Sequence, residues 1–219
     1  MNANGRTAAQ ERLIDALNPG LRALAVRGVF RNYKKNSVII NEGEMGDSIF
    51  VLLEGAVKVF STDQNGREIT YGDIRAGDYF GELSLDGGPR SASVMTQEPS
   101  VCSVVSRAAV REHLAEEPEF ALDLVAQVIR RARAATETAR NMALLDVYGR
   151  VIATLEGHGG PARPGAPILL TQITHQSIAS RVGASREMVS RLLKDLEKGG
   201  YIELGVKRIT LLKKLPARW

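Results

Sequence analysis

Between Ser37 and Ser106 the chain sets short apolar runs between turn residues. "SVIINEG", "SIFVLLEG", "AVKVFST", "EITYGDI", "SASVMTQ" and "VCSVVS" carry the apolar and β-branched positions, and Gly43, Gly46, Gly55, Asn65-Gly66 and Gly77-Asp78 punctuate them. Short strands at this spacing predict an antiparallel sandwich or barrel. A short helix is predicted ahead of them, over residues 8–17. From about residue 107 the pattern turns helical: Ser106 caps "RAAVREHLAEEPEF", Pro118 opens a new helix, and strong helix formers run to about residue 143. Asp146 caps a third helix in "LLDVYGRVIATLEGH", and the loop "GHGGPARPGAP" breaks the chain before its last quarter.

The helix opened by Pro118 carries Ala121, Val125, Val128, Ala132, Ala135, Ala139 and Met142 at alternating steps of four and three. That is a heptad seam, narrow and rich in alanine, and small seam residues let two backbones approach closely. The reading is self-association through residues 118–143, with Leu122 and Ile129 to one side packing on the sandwich. An ordinary amphipathic core helix is the plainer alternative.

Composition is that of an ordinary globular protein: 44% of the 219 residues are apolar and 25% charged. No run of about eighteen apolar residues spans a bilayer, and "MNANGRTAAQERLID" lacks a signal-peptide core, so the expected location is cytoplasmic with no membrane partner. The single cysteine, Cys102, reads as a buried structural thiol, and His113, His158 and His175 lack ligand spacing, so no metal is expected. Charge is uneven. Residues 1–170 hold 19 Lys and Arg against 21 Asp and Glu, while residues 171–219 hold 10 against 4. A compact basic end on a nearly neutral body is the electrostatic footprint of nucleic-acid binding.

That end, "TQITHQSIASRVGASREMVSRLLKDLEKGGYIELGVKRITLLKK", reads as a helix, a turn at Gly183, a second helix capped by Ser185 and a two-stranded wing. At about 100° per residue Arg186, Glu187, Ser190, Arg191 and Lys194 share one arc of the second helix, and Met188, Val189, Leu192, Leu193 and Leu196 the opposite one. A solvated charged face would look similar, but Arg bonds the O6 and N7 of guanine, and Glu accepts from cytosine. Thr174, Gln176, Lys207 and Arg208 are candidates for phosphate contacts, which position a protein without specifying sequence.

A second candidate site lies in "FGELSLDGGPRSASV", residues 80–94, where Glu82 and Arg90 flank a Gly-Gly-Pro corner. The stretch also reads as a plain surface turn. As a site, the carboxylate accepts from sugar hydroxyls, the guanidinium offers a rigid fork to phosphate, and amides near Ser91 and Ala92 add donors. On this reading, Arg90→Ala abolishes the ligand response and leaves the fold intact.

With these pieces in this order, the chain resembles the CRP/FNR family of bacterial transcription regulators over about residues 20–214. "GDYFGELSL...PRSASV" looks like the family's phosphate-binding cassette, "LLDVYGRV" like the start of its DNA-binding domain, and "ASREMVSRLLKDLEKGGYI" like its recognition helix. The resemblance implies an α+β fold: an N-terminal helix and cyclic-nucleotide-binding β-roll over residues 1–117, a dimerisation helix over 118–143 and a winged helix-turn-helix over 144–219. It implies an effector pocket of Gly81, Glu82, Leu83, Arg90, Ser91, Ala92, Arg131, Ala135 and Thr136, with Glu82 on the ribose and Arg90 and Ser91 on the cyclic phosphate. It implies DNA contacts from Thr174, Gln176, Ser185, Arg186, Glu187, Ser190, Arg191, Lys194 and Lys207, on two-fold-related half-sites of double-stranded DNA. RNA polymerase is a further implied partner. It implies no prosthetic group and cAMP as the leading effector, with cGMP and cyclic di-GMP as alternatives, because Ala135 stands where the family's cyclic-AMP-binding members place a threonine and the cassette is short.

The leading reading is thus a homodimeric, ligand-controlled transcription regulator. A second keeps the architecture with another effector or none. A third, an enzyme acting on nucleotides, is disfavoured because no nucleophile–base pair, metal spacing or Walker loop is visible.

Overall fold

The computed structural model describes residues 7–158 and 166–216, so most of the loop "GHGGPARPGAP" lies outside the described residues. The chain divides into two compact units, the first taking in the chain up to Ser61 with Tyr71–Arg131, the second Thr62–Thr70 with the chain from Ala132.

In the first unit Thr7 and Gln10 close a capping box on α1 (Ala8–Asp15). A second short helix follows, α2 (Pro19–Ala25), capped by Asn18 with proline in its first turn. The strands are β1 (Val29–Tyr33), β2 (Val38–Ile40), β3 (Ser48–Glu54), β4 (Ala56–Thr62), β5 (Glu68–Arg75), β6 (Tyr79–Phe80), β7 (Ser93–Thr96) and β8 (Ser100–Ser106). They form two four-stranded sheets, β1-β8-β3-β6 and β2-β7-β4-β5. Every register determined between them is antiparallel.

The continuous run "IFVLL" of β3 is explained by burial on both faces. Phe50 and Leu52 point between the sheets with Ile40, Val57, Ile74, Phe80, Val94 and Cys102. Ile49, Val51 and Leu53 meet Leu17, Leu21, Leu24, Val110 and Phe120 on the helical side.

Two helices follow, α3 (Arg107–Glu116), capped by Ser106 as expected, and α4 (Pro118–Leu144). The roll side of α4 differs from the expectation. Phe120 is buried in the helical cluster, Leu124 packs against it, and Gln127 and Arg131 bond to the segment around β6. Leu122 and Ile129 are 64% and 45% exposed. They sit about 200° around the helix from Phe120 and Gln127, so the face that meets the roll is the one they turn away from.

In the second unit the Asp146 carboxylate accepts from the Gly149 N–H ahead of α5 (Val147–His158). Next come β9 (Ile168–Thr171), α6 (His175–Val182), α7 (Arg186–Lys198), β10 (Ile202–Gly205) and β11 (Arg208–Leu211). The wing is three-stranded, in the order β10-β11-β9, one strand more than predicted. Gly183 takes the left-handed conformation, φ +64°, that turns α6 into α7, and its N–H returns to Ala179. Val189, Leu193 and Leu196 of α7 are fully buried against α5, α6 and the wing. Met188, expected on that packing arc, is 39% exposed because it lies about 100° around the helix from Val189, at the edge of the buried arc.

Candidate functional site

Two sites stand out, one in each unit. In the first, the cassette opens at Gly81 and runs through a 3-10 turn, Glu82–Ser84. Asp86 accepts from the Gly88 N–H, and this tight turn brings Arg90 back beneath Glu82. The backbone of Arg90 is gripped by the loop after β2: its N–H donates to Glu44 and its carbonyl accepts from Gly43, while Met45 bridges to Pro89.

Glu82 and Arg90 are only 6% and 7% exposed, charged groups that must be paired or hydrogen-bonded where they are. Glu82 finds its partner on α4. Its Oε2 lies 2.6 Å from Nη1 of Arg131, whose Nη2 donates to the Tyr79 carbonyl at 2.5 Å and stands 3.6 Å from Asp78. Gln127 donates to both Asp78 carboxylate oxygens, at 3.0 and 3.1 Å, one helical turn away. Two side chains of α4 thereby hold the cassette. Between them, burial beside these groups pushes the Tyr79 hydroxyl up to about 12.

Arg90 departs from the expectation of a loop clamp. Its Nη1 donates to the Gly81 carbonyl at 2.8 Å and to Ser84 Oγ at 2.7 Å, and its Nη2 to the carbonyl and Oγ of Ser48 at 3.0 and 3.3 Å. Four of the five N–H bonds of a guanidinium are so engaged, leaving Nε–H. Burial pulls its pKa below the ordinary arginine value, opposed by Asp47, Glu82 and Glu44. Arg90 thus ties the cassette to β3, and removing it removes structure. The cage around it, Ser48, Ser84 and Gly46, escaped the sequence reading, since Ser48 is 42 residues from Arg90 along the chain.

Of the other residues expected here, Leu83 and Ser91 are exposed and Ala92 half-buried beside this cluster. Ala135 and Thr136 belong to the second unit, both exposed on α4, and the Thr136 hydroxyl donates back to the Ala132 carbonyl.

The second site is the outer face of the helix-turn-helix. Thr174 caps α6 in a reciprocal box with Ser177, and Ser185 caps α7 by accepting from the Met188 N–H. The Thr174 and Ser185 hydroxyls, acceptors in these caps, keep their protons to donate elsewhere, whereas Ser177 donates its own to the Thr174 carbonyl. Arg186, Glu187, Arg191 and Lys194 are exposed along α7. A cleft of about 430 Å³ between the start of α6, the start of α7 and the wing brings together Thr174, Gln176, Arg186 and Lys207 with Arg208 and His175. Three cations, one hydroxyl and one side-chain amide around one concavity suit an anion. His175 was not singled out from sequence. It is joined to Ser190, 15 residues on, by a 2.8 Å hydrogen bond across the turn.

Comparison with known proteins finds a family match at each end of the chain. Residues 30–117 match the cyclic nucleotide-binding domain and residues 149–215 the Crp-like helix-turn-helix domain. The chain is 33% identical over 190 residues to the cAMP-activated global transcriptional regulator Vfr of Pseudomonas aeruginosa, covering 83% of this chain and 88% of that one. It is 32% identical over 185 residues to the cAMP-activated global transcriptional regulator CRP of Escherichia coli, covering 82% and 87%. Among solved structures, CLP of Xanthomonas campestris, described as a c-di-GMP responsive global regulator, superposes with a TM-score of 0.78 at 21% identity, covering 89% of this chain and 98% of that one.

Proposed function

The chain belongs to the CRP/FNR family of transcription regulators, a DNA-binding regulator with a cyclic-nucleotide-binding domain, and from that premise we propose that cAMP is its effector, held at the cassette. The observation that carries the reading is the buried pair of Glu82, fixed by Arg131, and Arg90, fixed by Ser84 and Ser48. A carboxylate with one oxygen ion-paired still has lone pairs for ribose hydroxyls. Arg90 Nε–H, the Ser91 hydroxyl and the amides of Ser91 and Ala92 serve the cyclic phosphate, and Gly81 and Leu83 border it. By the family resemblance Ala135, which lacks a hydroxyl, and Thr136 are the residues to test for a role in base selection.

The proposal includes three functional parts: a roll over residues 1–117, a dimer helix over 118–143 and a DNA-binding domain over 144–219. Leu122, Val125, Val128 and Ile129 are exposed apolar residues on α4, and a second copy of the helix would bury them. Ligand bound against Glu82 and Arg131 acts on α4 directly, and so biases how two dimer helices pack and how two recognition helices face DNA. Arg186, Glu187, Ser190 and Arg191 read bases, while Thr174, Gln176, Ser185, Lys194 and Lys207 hold phosphates. Transcription is controlled in the cytoplasm through RNA polymerase.

Calorimetric titration of the purified chain with cAMP, cGMP and cyclic di-GMP tests the effector. Saturable 1:1 binding of cAMP per chain, lost in Glu82→Gln, supports it. Tighter binding of cyclic di-GMP overturns it. A second reading, a regulator that acts without ligand, draws on the engaged Nη groups of Arg90; binding of none of the three nucleotides favours it.

A further inference from the structure

His175 is the first residue of α6, half-buried, and its Nδ1 lies 2.8 Å from the hydroxyl of Ser190 in the second turn of α7. The ring lines the cleft with Arg186 of α7 and Lys207 and Arg208 of the wing. Lys194 of α7 adds a further positive field, and Glu197 of the same helix opposes it. Three of these four cations line the cleft itself.

The hydrogen bond has three proton arrangements, since a neutral ring either accepts or donates at Nδ1, and two of them carry the argument. When the imidazole is neutral and Nδ1 accepts, the Ser190 O–H donates its hydrogen bond to the ring and Nε2 carries the ring's own proton. When the ring is a cation, Nδ1–H donates to Ser190, and the hydroxyl proton is released to another acceptor. Protonation thus adds a charge to the cleft and changes Ser190 from a donor spent inside the protein to one offered outside it.

We propose that His175 contacts a DNA phosphate as an imidazolium and that DNA binding takes up one proton there, through its pair with Ser190. The proposal rests on the reading of this unit as DNA-binding. In the free protein burial, and then the charges of Arg186 and Lys194, lower the His175 pKa from its ordinary value, so the ring is neutral at pH 7.5. A phosphate in the cleft offsets that positive field and raises the pKa. Because the complex holds the proton more tightly, affinity is highest below the free-protein pKa and falls as pH rises through that of the complex. One linked proton limits the slope to about one decade of affinity per pH unit.

The test is fluorescence anisotropy of the full chain on a labelled duplex selected by the protein itself, from pH 5.5 to 8.0 at constant ionic strength. Wild type gains about threefold to tenfold in affinity toward low pH. His175→Gln, which keeps hydrogen-bonding capacity but does not titrate, flattens this rise. Calorimetry in two buffers of different ionisation enthalpy counts the proton directly, and the count falls in His175→Gln. A rise or a proton count unchanged in that variant overturns the proposal. Should the variant lose all binding, the His175 Cε1–H resonance of wild type decides: a pKa raised by DNA supports the proposal, an unmoved one overturns it. Wild type that binds no duplex at any pH, by contrast, refutes the DNA-binding reading beneath it.

Discussion

Replacing Gly46 by alanine perturbs Arg90 without altering a charge or removing a hydrogen-bonding group. A Cβ at Gly46 would lie within 2.5 Å of Arg90 Nη2, and closer still to Nε and Cζ. Gly46 is not among the glycines with positive φ, so the methyl group strains the guanidinium rather than the backbone. Ordinary contact requires the guanidinium to withdraw by about 1 Å, and bonds of 2.7–3.0 Å to Ser84, Gly81 and Ser48 do not survive that movement. Overpacking together with unsatisfied buried acceptors costs the roll about 2–4 kcal/mol. Arg90→Ala costs about as much by itself, and it opens the space that the added methyl group needs. In that background Gly46→Ala is nearly neutral, or gains about 0.5 kcal/mol by restricting the unfolded chain. The assay is a double-mutant cycle by urea unfolding followed by circular dichroism, with cAMP titration of each variant. The expected coupling is about 2–4 kcal/mol, the whole cost of the single Gly46→Ala change. Single costs that add to within about 0.5 kcal/mol would refute the caged position of Arg90.

Arg186→Ala is expected to relax base preference, whereas Lys207→Ala weakens all sequences about equally and reduces the salt slope by about 1; binding-site selection and salt titrations separate the two. Ala135→Thr is expected to widen the separation of cAMP from cGMP, read by paired titrations, because a hydroxyl that bonds one base edge rejects the other. Wild type that already separates them by over about a thousandfold would remove Ala135 from the argument. Val125→Glu, at an exposed seam position of α4, shifts sedimentation toward monomer while circular dichroism stays unchanged.

What was legible in the sequence follows from how local the physics is. The apolar run of β3, the caps at Ser106 and Ser185 and the buried arc of Val189, Leu193 and Leu196 each need only a few neighbouring residues to be recognised. β1, β6 and β9 were missed because strands so short or so polar acquire their character from partners, as Val29–Tyr33 does from β8. The face of α4 was misjudged because Leu122 and Ile129 look like core residues until Phe120 and Arg131 are seen to occupy the roll side. In the candidate site, Glu82 and Arg90 were visible as chemistry, but not the depth at which they sit. The serines that hold Arg90 carry no pattern of their own, although a serine between two leucines in "ELSL" marks a polar group in an apolar setting that needs a partner.

A cyclic nucleotide at the roll is expected to be coupled to DNA at the helix-turn-helix, and reciprocity requires each ligand to change the affinity for the other by the same factor. The direct measurement is footprinting and anisotropy on a duplex selected from a random pool, with and without saturating cAMP. The account predicts a two-fold-related footprint, with half-sites about one helical turn apart, and a change in DNA affinity of about tenfold or more on adding cAMP. A single unpaired half-site, or DNA affinity that cAMP leaves unchanged, would contradict it.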